Sequence, residues 1–273
     1  MYFVTISEMY GTGGEKIAKK AAELLNYGYY GEMELLKAAE SMGFVSDVKN
    51  LDEKGPTFFK QLFTEKPKIY FDRLQAVIYE VAKKGDAVFF GRGSQLLLSS
   101  FGCALHVLVT GSLEKRIQRI IEEKGVGRKM AEKMVERSDH DKKRFFRFAF
   151  DQDWLNPHLY DLVVNTDKLS IDAAVGMILD AAKSDGIKAC GVDSVKSLGI
   201  LSLQRKLDAA FMESGVAGSH LFLEVEDIDS VRVYGVVNSE EKKEAIEKIL
   251  HGTKEIKKVT NELSIMRAAM GGM

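Results

Sequence analysis

Three glycines in four positions, Gly11-Thr12-Gly13-Gly14, stand between an apolar run, Tyr2-Phe3-Val4-Thr5-Ile6, and a stretch of helical periodicity that begins near Glu15. Glycines at a strand-to-helix junction let backbone N–H groups approach an anion, and the helix N-terminus adds its dipole. The chemistry they suit is phosphate binding, with Lys16 close by as a cation. A second cluster is Glu136-Arg137-Ser138-Asp139-His140-Asp141-Lys142-Lys143-Arg144. Positions 137, 141 and 144 are four and three apart, so they share one helix face, two guanidiniums flanking one carboxylate. Arg137 and Arg144 could clamp a phosphate with their planar forks, and Asp141 could orient an arginine or accept from a base amino group. The third cluster, Gly91-Arg92-Gly93-Ser94, ends an apolar run, where open α/β sheets place their ligands. Arg116 and Arg119 add positive charge along one helix face.

Each cluster also has a plainer reading. A glycine-rich turn can hold nothing, and an alternating charge stripe is often a solvated face with weak pairs. The loop fails the complete phosphate-loop pattern G-x-x-x-x-G-K-[ST]. With Gly13 as its last glycine, Glu8 falls at the first glycine, Gly14 at the lysine and Glu15 at the hydroxyl. The dinucleotide pattern G-x-G-x-x-G fails too, because Lys16 takes its third glycine position.

The elements that would position these clusters alternate. Helical spacing predicts helices over 15–25, 32–42, 57–63 and 69–84, with an irregular polar loop over 43–56. Residues 26–30 read as a short strand or turn. The continuous apolar runs 87–91 and 105–109 read as buried parallel strands, each followed by a helix, near Ser94 and Leu113. Ser112 is the expected cap of the second. A long helix follows over 128–150, then a strand over 162–165 and a helix capped by Ser170. Phe145, Phe146, Phe148 and Phe150 read as packing rather than base stacking. Strands alternating with helices imply a parallel sheet with helices on both faces. Gly186, Gly191, Ser194 and Gly199 mark a linker over 185–199, separating a domain over 1–184 from a small α+β domain over 200–273. In that domain 201–214 and 239–250 read as helices, and 220–225, 231–236 and 257–266 as strands, before a frayed tail.

Gross composition excludes several classes of partner. The chain has 273 residues, a net charge of −1, 45% hydrophobic and 29% charged residues. No global field recommends nucleic acid or an anionic membrane. No apolar run approaches the roughly 20 residues that span a bilayer, and no secretory leader is read at the start. Cys103 and Cys190 lie far apart with no metal-type spacing, so they read as reduced thiols of a cytoplasmic protein.

Taken together, the strand–loop–helix through Gly14, the turn Gly91-Arg92-Gly93-Ser94, the helix segment Arg137 to Arg144 and the ending Tyr160 to Ser170 resemble the cytidylate kinase-like family of P-loop nucleoside monophosphate kinases. The resemblance covers about residues 1–183. It implies transfer of the ATP γ-phosphoryl group to CMP, dCMP or a similar small acceptor, with Mg²⁺. It implies that Gly11, Thr12, Gly13 and Gly14, with Lys16, cradle ATP phosphates, and that Arg92, Arg137, Asp141 and Arg144 bind the acceptor. Arg116 or Arg119 would approach the donor from the lid side. The metal ligands are not assigned. The loop of the branch it resembles often reads like S-R-E-Y-G-S-G-G-R-E, and here both arginines are glutamates, Glu8 and Glu15. Two carboxylates beside a polyphosphate repel it, so a second reading stands beside an active enzyme: a catalytically degenerate nucleotide-binding regulatory module. A third is a purely structural role. The stretches Val231 to Ile246 and Ile256 to Ile265 are similar to a BON domain, a family linked to ligand, membrane or partner binding, which leaves ligand sensing, oligomerisation and partner docking open.

Overall fold

The computed structural model describes residues 2–44, 67–218 and 220–266. The helix expected over 57–63, nearly all of the loop expected over 43–56, and the frayed tail lie outside the described residues. The chain forms two compact units, Met1–Leu35 with Lys84–Gly191, and Leu36–Lys83 with Val192–Met273.

The first unit is built on a five-stranded parallel sheet in the order β2-β3-β1-β4-β5. Its strands are β1 (Phe3–Glu8), β2 (Gly28–Tyr30), β3 (Ala87–Phe90), β4 (Ala104–Thr110) and β5 (Leu162–Asn165). β1 is central because Phe3, Val4, Thr5 and Ile6 are all buried, as a strand covered on both faces requires. It pairs in register with β3 (Phe3 with Ala87) and β4 (Phe3 with Ala104). Helix α1 (Gly14–Leu25) lays Ile17, Ala18, Ala21 and Ala22 on the sheet. They meet Ala174, Val175 and Ile178 of the helix Ile171–Ala182, whose cap Ser170 accepts from the Ala173 N–H at 3.1 Å. Burying a side chain such as Ile17 is worth about 1.5–3 kcal/mol, and the stripe spacing fixes which face turns inward.

Helix α2 (Glu32–Ser41) follows β2, and α3 (Pro67–Ala82) precedes β3. The helix expected after Ser94 is a single turn, α4 (Ser94–Leu97), because the chain must re-enter the sheet at Ala104. α5 (Leu113–Lys124) and α6 (Arg128–Phe150) pack together through Ile117, Ile120, Ala131 and Val135. Ser112 does not cap α5 with its side chain; instead its backbone N–H donates to Asp167 Oδ1 at 2.8 Å. The helix Ile171–Ala182 is α7.

The expectation of two reduced thiols is overturned. Cys103 and Cys190 form a disulfide, with Cα atoms 5.3 Å apart. Their separation of 87 residues hides the proximity. After α7 the chain returns to the start of β4, where the Lys188 N–H donates to the Gly102 carbonyl at 3.2 Å.

In the second unit, α8 spans Val192–Glu213 and starts inside the stretch expected as linker. Gly199 is no linker signal: it is buried mid-helix, where an added Cβ would lie 3.1 Å from Ile228. α3 packs on α8, Ser202 Oγ donating to the Ala76 carbonyl at 3.2 Å and Arg73 pairing with Glu213 at 2.6 Å. β6 (Leu221–Asp227), β7 (Ser230–Val237) and β8 (Lys258–Ile265) form a mixed sheet in that order, antiparallel then parallel. Leu203, Leu207 and Phe211 of α8, with Ile246 and Leu250 of α9 (Glu240–Gly252), close one face of it.

Candidate functional site

The loop after β1 is held from below and behind. Gly11 and Gly13 have φ of +89° and +82°, a region that favours glycine. A Cβ on Gly11 would also come within 2.8 Å of the Arg116 carbonyl oxygen, so the loop touches α5 through bare backbone. Met9 N–H continues the sheet to Val109, and Ile17 N–H closes the first helical bond to the Gly13 carbonyl. Beneath lies a buried polar chain: Ser7 Oγ to Gln95 Oε1 at 3.2 Å, Gln95 Nε2 to Tyr160 OH at 3.1 Å, and Tyr160 OH to the Trp154 carbonyl at 2.7 Å. Burial pushes the Tyr160 phenol up to about 12, so it stays a neutral donor.

Arg116 and Arg119 lie against this loop. Arg116 is only 2% exposed, and its Nε donates to the Tyr10 carbonyl at 2.8 Å. Its other nitrogens form a fork onto Asp139 of α6 at 2.7–2.9 Å. Arg119 donates to Thr166 Oγ1 at 2.8 Å, to the Thr166 carbonyl, and to the Thr12 carbonyl at 3.3 Å. In this conformation both arginines clasp loop carbonyls and fix the loop's shape. Thr12 itself is buried, and Thr166 Oγ1 donates to its carbonyl at 3.1 Å.

The glutamates divide. Glu15 is exposed and pairs with Lys19 at 2.8 Å. Lys16 is exposed and pairs with Glu123 of α5. Glu8, by contrast, turns into the loop: its Oε2 accepts from the Gly14 N–H at 2.8 Å and from Thr12 Oγ1 at 3.3 Å. Burial pushes its carboxyl above the ordinary value, against the charge of Lys142 and the Gly14 and Thr12 bonds.

Lys142 is the cation that a search by motif misses. It reaches from α6 to donate to the Glu8 carbonyl, and lies 5.3 Å from the Trp154 ring centre. Burial holds its ammonium below the usual lysine value, opposed by Glu8 and Asp139; Arg116 and Arg92 are its further charged neighbours. Asp139 and Lys142 share a face with buried Val135 and Phe146, at spacings of four, three and four. That amphipathic stripe was the available signal for both.

Arg92 sits in a left-handed turn, with φ of +73°, +59° and +73° at Gly91, Arg92 and Gly93. A Cβ on Gly93 would collide with Phe150 at 2.4 Å, which ties this turn to the end of α6. Left-handed backbone costs a non-glycine residue about 1–2 kcal/mol, so Arg92 is held there by its surroundings. It pairs with Glu32 at 2.5 Å, and burial pulls its pKa down. Arg137 and Arg144 lie on an exposed stripe of α6: Arg137 is 85% exposed, with Asp141 at 3.8 Å, and Arg144 is exposed. Thus Gly11 to Gly14, Arg116, Arg119 and Arg92 gather around the loop and Lys142, while Arg137, Asp141 and Lys16 face solvent. Phe145 and Phe146 are buried packing, as expected, whereas Phe148 is exposed and Phe150 half-buried.

A glycine loop at the C-terminal end of the central strand of a 2-3-1-4-5 parallel sheet, leading into a helix, gives a P-loop kinase-like fold with an added small mixed-sheet domain. The chain belongs to the Cytidylate kinase-like family, whose profile matches residues 3–168, and its C-terminal part matches the BON domain over residues 202–267. It is 28% identical over 182 residues to a protein named cytidylate kinase from Methanocaldococcus jannaschii, covering 65% of this chain and 96% of that relative. It is 29% identical over 181 residues to one of the same name from Staphylothermus marinus, covering 65% and 94%. A solved structure of an uncharacterized protein from Eubacterium ventriosum shares the fold, with a TM-score of 0.54 at 24% identity, covering 66% of this chain and 97% of that one. No helix among the described residues is long and apolar enough to cross a membrane.

Proposed function

We propose that the protein is a nucleoside monophosphate kinase that moves the ATP γ-phosphoryl group to CMP, dCMP or a similar small acceptor. The observation that carries this reading is Lys142. The loop has Gly14 where a phosphate loop keeps its lysine, and α6 delivers an ammonium to the same loop from outside. Phosphoryl transfer asks for positioning and charge neutralisation more than covalent chemistry. Gly11 to Gly14 offer the cradle and Lys142 the charge. Arg92, beside the loop, would meet the acceptor, and Arg137, Asp141 and Arg144, on the solvent face of α6, would reach it only through a movement of that helix.

The donor set does not fit a metal held by the protein alone. The hydroxyl position of the loop is Glu15, which is paired with Lys19, and no group of three potential ligands occurs among the described residues. Mg²⁺ is therefore expected to arrive on the nucleotide's own phosphates. A cytoplasmic location and the absence of a nucleic-acid partner belong to this proposal. The same geometry also serves the second reading, a regulatory module that binds nucleotide without turnover, since Glu8 stands inside the cradle.

Incubation with ATP, Mg²⁺ and a panel of monophosphates decides between them. An active kinase releases ADP with CMP or dCMP, above the level of a variant carrying Arg137→Ala and Arg144→Ala. Thermal stabilisation by nucleotide without ADP release favours the regulatory module. Neither effect leaves a structural role.

A further inference from the structure

We propose that Glu8 is a built-in competitor for the phosphate seat: its carboxylate takes the Gly14 N–H that the loop would offer a phosphoryl oxygen, and nucleotide binds by displacing it. The proposal rests on the phosphotransfer reading above.

Gly14 is the first residue of a twelve-residue helix, so its N–H lacks an intrahelical partner and carries the positive end of the dipole. The residue before it, Gly13, has no side chain to cap it. Glu8 fills that gap from the end of β1, its Oε2 2.8 Å from the Gly14 nitrogen. The fit is close: a Cβ on Gly14 would lie 2.6 Å from the Glu8 Cβ and 2.8 Å from Oε2. The Thr12 hydroxyl gives its bond to the same oxygen at 3.3 Å. A carboxylate bonded to a helix N-terminus inside a glycine loop occupies the place of an incoming anion.

The seat also makes Glu8 displaceable. Lys142, the cation beside it, gives its hydrogen bond to the Glu8 carbonyl rather than to the carboxylate. Burial disfavours the ionised form of Glu8, the Lys142 charge and the Gly14 and Thr12 bonds favour it, and Glu15 on α1 adds a repelling charge. A phosphate presents more charge to the same N–H and to Lys142 than a single carboxylate does, so one anion replaces the other.

The contrasting role is a plain helix cap. Full-length protein, Glu8→Gln and Glu8→Ala are titrated calorimetrically with ATP and, separately, with inorganic tripolyphosphate, and their melting temperatures are read without ligand. Gln keeps the size and an acceptor oxygen but not the charge; Ala empties the seat. A competitor predicts tighter binding of both probes in the order Ala, Gln, wild type, with Ala at least about tenfold tighter than wild type. Equal affinities refute it, as do weaker binding and a lower melting temperature in both variants, and either leaves the kinase reading standing. No binding of either probe by any of the three removes the kinase reading and this proposal together.

Discussion

Two charged stripes run along α6. Val135, Asp139, Lys142 and Phe146 turn toward the glycine loop, and Arg137, Asp141 and Arg144 turn toward solvent. On the first, every charge is held. Asp139 receives the Arg116 fork, and Lys142 lies against Trp154 with its proton on the Glu8 carbonyl. On the second, Arg137 is 85% exposed and its carboxylate partner is 3.8 Å away. Pairs of that kind are worth about 0–1 kcal/mol, and long exposed side chains keep their rotamer freedom. The difference is one of preorganisation. A held charge can shape a rigid phosphate cradle before any ligand arrives, whereas the far more exposed Arg137 keeps more of its freedom until a ligand meets it.

The sharpest way to break this comparison is Asp139→Ala. It strips the carboxylate from Arg116, which is 2% exposed, and the uncompensated charge should destabilise the protein by about 3 kcal/mol. A clear fall in melting temperature is expected; an unchanged one would show that the inner stripe is no better held than the outer.

Next in size is the double change Arg137→Ala with Arg144→Ala. Turnover with CMP should fall about a hundredfold or more, near 2.7 kcal/mol of transition-state binding, with the melting temperature almost unmoved. A large loss of stability would place these arginines in the scaffold instead. The smallest effect belongs to Asp141→Asn. Its partner is distant and solvated, so stability should change by less than about 0.5 kcal/mol, read from denaturant midpoints.

Much of the fold was legible because burial on both faces forces continuous apolar runs. Val88 and Phe89 of β3, and Leu105 and Val107 of β4, announced their strands that way. Helix α6 was legible in full, from its spacing. What escaped depended on tertiary placement. Gly199 looked like punctuation and is a packing contact against Ile228. Cys103 and Cys190 meet only because the chain folds back to the start of β4. At the site, the glycine loop and Arg92 could be found by position in the fold. Lys142 could not be found by motif, because it reaches the Glu8 carbonyl from a distant helix. Of the two glutamates, only the folded chain separates Glu15, paired with Lys19 in solvent, from Glu8, seated in the cradle.

The central claim is that the inner stripe of α6, which faces the glycine loop, serves the phosphate donor. Titration of ATP onto Lys142→Met, beside the Arg137→Ala and Arg144→Ala double variant, tests it most directly. The account predicts that Lys142→Met weakens ATP by about tenfold or more, the free-energy equivalent of about 1.4 kcal/mol, while the double variant binds ATP as the wild type does. Wild-type affinity in Lys142→Met, with ATP binding lost in the double variant, would contradict it.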